Sequence, residues 1–200
     1  MGLVARRALW ISRTAGLLCL LAGVAVGQAQ DRKCRDISFP QHLVVNGNEL
    51  TLNGLGVRKA TFLKVNVYVA ALYVAKPSGD AAPLIDSDGP QELTLHFVRD
   101  VGVEDLRKAF REAFERSGAD KSASLKERLE KLNAWMSDMK TGQRLTFVRL
   151  PHAGVQITVN GVTKGAIEGE DFSRAFVSIW LGPTPPNPEL KAGLLGGECS

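Results

Sequence analysis

The chain has 200 residues, of which 44% are hydrophobic and 23% charged, enough for one well-buried domain and short for two. That balance excludes collagen-like, coiled-coil and disordered chains. A formal charge of +4 would suit a polyanionic partner only if the basic residues clustered on one surface.

Most of the excess of basic over acidic residues lies instead at the amino terminus. Met1 to Gln30 holds Arg6, Arg7 and Arg13, no acidic residue, and an apolar run from Ala15 to Val26 broken only by Gly16 and Gly23. This is the pattern of a secretory signal. The run is too short to span about 30 Å of hydrocarbon, and the small residues of Val24-Ala25-Val26-Gly27 offer a cleavage point. A signal peptide is expected over residues 1–28, with the mature chain starting near Gln28 to Gln30, exported to the periplasm or beyond and keeping no transmembrane anchor. Its loss takes three arginines from 25 basic residues and leaves 22 against 21 acids, a net charge of about +1. The remaining charges of both signs are interspersed, which excludes nucleic acid as a partner. Cys19 leaves with the signal. Cys34 and Cys199 remain, and two readings stand: a disulfide joining the chain ends, as an even pair in an exported protein suggests, or two unrelated thiols in loose tails.

A charged leader, residues 29–42, precedes the main domain, expected over 43–196 with a short tail at 197–200. Leu43–Val45 and Glu49–Leu52 flank Asn46-Gly47-Asn48, a hairpin signal. Asn53-Gly54-Leu55-Gly56-Val57 predicts a turn or bulge. Val65–Ala75 is β-branched and aromatic on both faces and predicts a central strand covered on both sides. Lys76–Pro90, rich in proline and glycine, predicts a loop, and Glu92–Arg99 alternates as a strand. From Val103 the apolar spacing becomes helical through Leu106, Ala109, Phe110, Ala113 and Phe114, with Asp100 as a cap and Gly118 as the stop. A second helix follows from Ser122. Arg144–Leu150, Val155–Val159 and Val162–Ile167 return to strands, the last two joined by Asn160-Gly161. A helix from Glu170 ends before Pro183, Pro185 and Pro186, and Glu189–Leu195 predicts a short closing helix. The order implies an α+β fold, an antiparallel sheet with helices on one face.

No metal-ligand spacing, phosphate loop, dinucleotide fingerprint or nucleophile elbow occurs, so neither metal nor cofactor is expected. Arg58 lies just after two glycines, and Tyr68 lies on the next strand. A guanidinium and a phenol converging over an apolar cavity would hold a carboxylate or phenolate oxygen; the competing reading is an edge arginine in solvent and a core tyrosine. His96 is a candidate base beside such a pocket, and Arg99 shares the parity of the apolar face. Tyr73, His96, Phe110 and Phe176 are the candidate lining, although the Phe110/Phe114 and Phe172/Phe176/Trp180 stripes equally suit a filled core.

Leu52-Asn53-Gly54-Leu55-Gly56-Val57-Arg58, the strand Val67 to Val74, and the ending Phe172 to Gly182 followed by Pro183 and Leu190 to Gly196 resemble the chalcone isomerase-like proteins, most of all their exported bacterial branch. The resemblance spans about residues 43–196. It implies an open-faced β-sandwich, a large antiparallel sheet covered by a helical layer with ligand between them. In the plant isomerases of this family an arginine, a threonine, a tyrosine and an asparagine arrange the reacting groups. Arg58 matches the arginine, but Tyr68 stands at the threonine position, Gly102 or Val103 at the tyrosine and Ala109 near the asparagine. Preorganised donors each contribute roughly 3 kcal/mol to a transition state, so the resemblance implies no catalytic residues here. Fatty-acid-binding relatives in plastids use an arginine and a tyrosine for the carboxylate, and Arg58 with Tyr68 is similar to that pair. Three functions follow as expectations: a non-catalytic binder of a small apolar carboxylate such as a fatty acid, an isomerase or intramolecular lyase acting on a phenolic or enone substrate, and an envelope interaction module whose aromatics close the space under Tyr68.

Overall fold

A meander of seven antiparallel strands, each hydrogen-bonded to its neighbour in sequence, organises the chain. The computed structural model describes residues 30–60 and 63–200; the expected signal peptide, with Cys19 inside it, lies outside them. A hairpin of β1 (Arg32–Cys34) and β2 (Ile37–Phe39) comes first. The large sheet runs β3 (His42–Val45), β4 (Asn48–Ala60), β5 (Val65–Val74), β6 (Gln91–Phe97), β7 (Arg144–Leu150), β8 (Gly154–Val159) and β9 (Val162–Ile167). Helix α1 (Ala81–Ile85) joins β5 to β6, α2 (Val103–Ser117) and α3 (Ala123–Ala134) join β6 to β7, and α4 (Glu170–Leu181) and α5 (Pro188–Leu194) close the chain. The α+β architecture expected from the element order is the one observed. Among the described residues no helix is long and apolar enough to cross a membrane.

Local chemistry explains most boundaries. Asn160 and Gly161 take φ of 48° and 80°, the paired left-handed conformations that a tight β8–β9 hairpin requires. Gly118, at φ 75°, stops α2, and the Ser122 hydroxyl accepts from the Leu125 N–H to start α3. Two expectations are corrected. Asp100 does not cap α2: the helix starts after Gly102, its Val103 N–H donates to Asp138 Oδ1 at 2.8 Å, and Asp100 instead accepts from the Thr141 N–H and Lys140 Nζ. The Lys76–Pro90 loop contains α1; Pro83 sits in its first turn, where a missing N–H costs little, and Leu84 anchors it in the core.

Alternation along β5 divides the interior in two. Tyr68, Ala70, Leu72 and Val74 face the helices with Leu95, Phe97, Phe147 and the aromatic stripes of α2 and α4. Val69, Ala71 and Tyr73 face the other way, onto Leu50, Leu55, Val57, Cys34 and Phe39. The leader is therefore structured: its hairpin covers the back of β4 and β5, and a disulfide between Cys34 and Cys199, Cα atoms 5.8 Å apart, ties it to the chain end. Helix α5 lies directly on β4. A Cβ on Gly54 would meet the Gly193 carbonyl oxygen at 2.1 Å and one on Gly56 the Leu190 carbonyl oxygen at 2.5 Å, so this contact needs glycine. The bulge expected near Asn53 occurs there, with the register shifting between Leu52 and Gly54. The freed Asn53 side chain donates to the Leu194 carbonyl at 2.7 Å and accepts from the Ser78 N–H at 2.7 Å, fastening α5 and the start of the β5–β6 connection to β4.

Candidate functional site

Where β4 and β5 approach their shared turn, Arg58 and Tyr68 are direct cross-strand partners, which places both side chains on one face. That face borders a cleft of about 440 Å³ between the sheet and helices α2 and α4, within the size range of small-ligand sites. Its walls are Val67, Leu95 and Phe97 from the sheet, Leu106, Ala109, Phe110 and Ala113 from α2, and Ile179 and Trp180 from α4; Arg58, Arg99 and Arg116 stand among charged residues at its rim.

Tyr68 is buried, and its phenol oxygen accepts the Trp180 indole N–H at 3.0 Å. Burial raises its pKa, against smaller opposing effects of that hydrogen bond and of Arg58, so the phenol keeps its proton at neutral pH. Among the described residues that proton is donated to no protein group. The Arg58 guanidinium is half-buried. It donates to Asn187 Oδ1 at 3.0 Å and to the Lys59 carbonyl, and Asn187 also bridges the Lys59 backbone in both directions, at 2.9 and 3.0 Å. Among the described residues neither Arg58 nor Arg99 forms an ion pair with a carboxylate.

The remaining candidates divide between the helical layer and the two faces of the sheet. Phe110 lines the cleft. Phe176 lies deeper, stacked on Phe172 and packed at steeper angles against Phe147 and Trp180, and borders a separate void of only about 20 Å³. Tyr73 and His96 do not line the cleft, because each sits an odd number of residues from its inward-facing neighbours and projects from the opposite face. Tyr73 packs under the leader hairpin with its phenol pushed up by burial. His96 Nδ1 accepts from Arg144 Nε at 3.2 Å, and burial followed by Arg144 lowers its pKa. Ala109 presents only a methyl group, and Gly102 and Val103 lie outside the cleft lining. Asn187 and the Tyr68–Trp180 bond escape sequence reasoning because they join positions 128 and 112 residues apart; the only available signal was an Asn-Pro pair opening a helix.

Among the described residues no group of His, Cys, Asp and Glu is arranged to hold a metal ion. The chalcone isomerase-like family matches residues 31–196. The chain belongs to that family. The match takes in the leader hairpin as well as the sheet. Among solved structures, an Arabidopsis thaliana fatty-acid binding protein is similar in fold, with a TM-score of 0.66 at 16% identity over 80% of this chain and 92% of that one. No curated protein matches the sequence.

Proposed function

We propose that this chalcone isomerase-like protein is an exported, non-catalytic binder of a small apolar carboxylate, a fatty acid being the fitting class. The carrying observation is the pairing of an arginine that has no acidic partner among the described residues with a buried, still-protonated phenol at the rim of an apolar cleft. A carboxylate there would receive charge-assisted hydrogen bonds from Arg58 and the spare Tyr68 O–H, and the alkyl chain would shed water against Phe97, Leu106 and Phe110. The structural neighbour named for fatty-acid binding supports the same ligand class. The absence of polar donors at Ala109, Gly102 and Val103 weighs against an isomerase. The aromatics do fill the deeper space, as an interaction module would, yet the cleft above them stays open.

Calorimetric titration with saturated fatty acids tests the reading. Wild type should bind saturably, and Arg58→Ala should weaken binding about 10- to 100-fold through loss of a charged hydrogen bond; equal binding by the two defeats the assignment. For export, mass measurement of the protein secreted from a bacterial host should give a chain starting near Gln28 to Gln30, and recovery of only the Met1 form counts against it.

A further inference from the structure

Two spaces lie under the helical layer, the outer cleft of about 440 Å³ and the inner void of about 20 Å³ bounded by Leu72, Leu93, Phe147 and Phe176. Trp180 is the one described residue that borders both. It is 2% exposed, and its ring is pinned on several sides: Nε1 donates to the Tyr68 hydroxyl, and the ring packs against Phe176 at 5.1 Å, Phe147 at 6.0 Å and Phe110 at 6.4 Å between centroids. Beyond it the apolar floor continues without interruption along β5 and β6, from Tyr68 and Phe97 at the rim to Leu72 and Leu93 at the void.

We propose that Trp180 is the wall that limits ligand depth, and so determines the longest alkyl chain this protein accommodates. The inference rests on the fatty-acid reading above and adds a specificity-determining residue to it. With the indole in place, a chain anchored at Arg58 and Tyr68 is confined to the space under α2. A smaller apolar residue at position 180 joins the cleft to the void and lets the chain continue along β5. The hydrogen bond to Tyr68 couples this wall to the group that holds the head, which explains why an otherwise apolar partition carries a polar atom at its edge.

The test is a chain-length series of saturated fatty acids, from eight to eighteen carbons, titrated calorimetrically into disulfide-intact wild type, Trp180→Leu and Trp180→Phe. Wild-type affinity should rise about fourfold per methylene until the chain fills the outer cleft, then level off. In Trp180→Leu the rise should continue to longer chains. Trp180→Phe, which keeps one ring but loses the fused ring and the N–H, should shift in the same direction by less, and it carries the test if the leucine variant does not fold. Binding by all folded variants with the same levelling-off length overturns the role of Trp180 while leaving the fatty-acid reading intact. No saturable binding by wild type at any length removes that reading, and this inference with it.

Discussion

The helix-covered face of the sheet carries an inward-facing arginine at each end, and the two are treated differently. At the closed end Arg149, 3% exposed, donates to the Ile85 carbonyl at 3.0 Å and to Glu170 at 3.1 Å, so its charge is neutralised within the fold. At the open end Arg58 is held in place by the Asn187 amide and by carbonyls, and among the described residues no carboxylate pairs with it. The first arrangement holds α1 and the start of α4 onto β7. The second fixes the direction of a guanidinium without neutralising its charge, and its cross-strand partner is a buried phenol that keeps its proton. Compensation of charge thus separates the two arginines, although both lie on strands beside apolar side chains.

The largest expected effect lies outside both ends. Breaking the Cys34–Cys199 disulfide, which spans 165 residues, should cost up to about 5 kcal/mol on the chain-entropy account. Denaturant unfolding of the double serine variant measures it, and fatty-acid affinity should survive in buffer, since the bridge lies behind the sheet. At the closed end, Glu170→Ala strands a buried guanidinium and should lower stability by about 3 kcal/mol, whereas Arg149→Met should cost less because Glu170 is partly exposed and can hydrate. If instead Glu170→Ala weakens fatty-acid binding and leaves unfolding unchanged, the contrast between the two ends collapses. The smallest effect is a pH dependence. Arg149 first, and the His152 N–H after it, holds the Glu170 carboxyl below the usual carboxylate range. A carboxyl whose folded pKa is depressed stabilises above its unfolded pKa and loses that contribution as pH falls through the folded one. Because Glu170 is 37% exposed, about 1 kcal/mol or less is at stake. Melting curves of wild type and Glu170→Gln should therefore converge below the ordinary carboxylate range.

Much of this contrast is visible in the sequence where neighbours along the chain decide the outcome. The two apolar faces of Val65–Val74 mark a central strand, Asn160-Gly161 marks the β8–β9 hairpin, and the period change at Val103 marks α2. The same two-residue alternation already separates Tyr73 from Tyr68 and His96 from Phe97, so their place behind the sheet follows from the strand pattern itself. Helix α1 is hidden because five residues containing a proline leave no periodic trace. The setting of Arg58 is hidden for a different reason. Asn187 and Trp180 reach β4 and β5 only after the whole sheet has formed, and no local pattern at position 187 or 180 specifies which strand it will meet. The charge balance at Arg149 is likewise a product of folding, since Glu170 is 21 residues away and looks like an ordinary first-turn acid.

The bridge between residues 34 and 199 also gives the molecule a single handle. The two ends of the folded chain leave from one place on the sheet, on the side turned away from Arg58 and Tyr68. A fusion partner or a solid support attached at either end would therefore lie behind the sheet, away from the cleft.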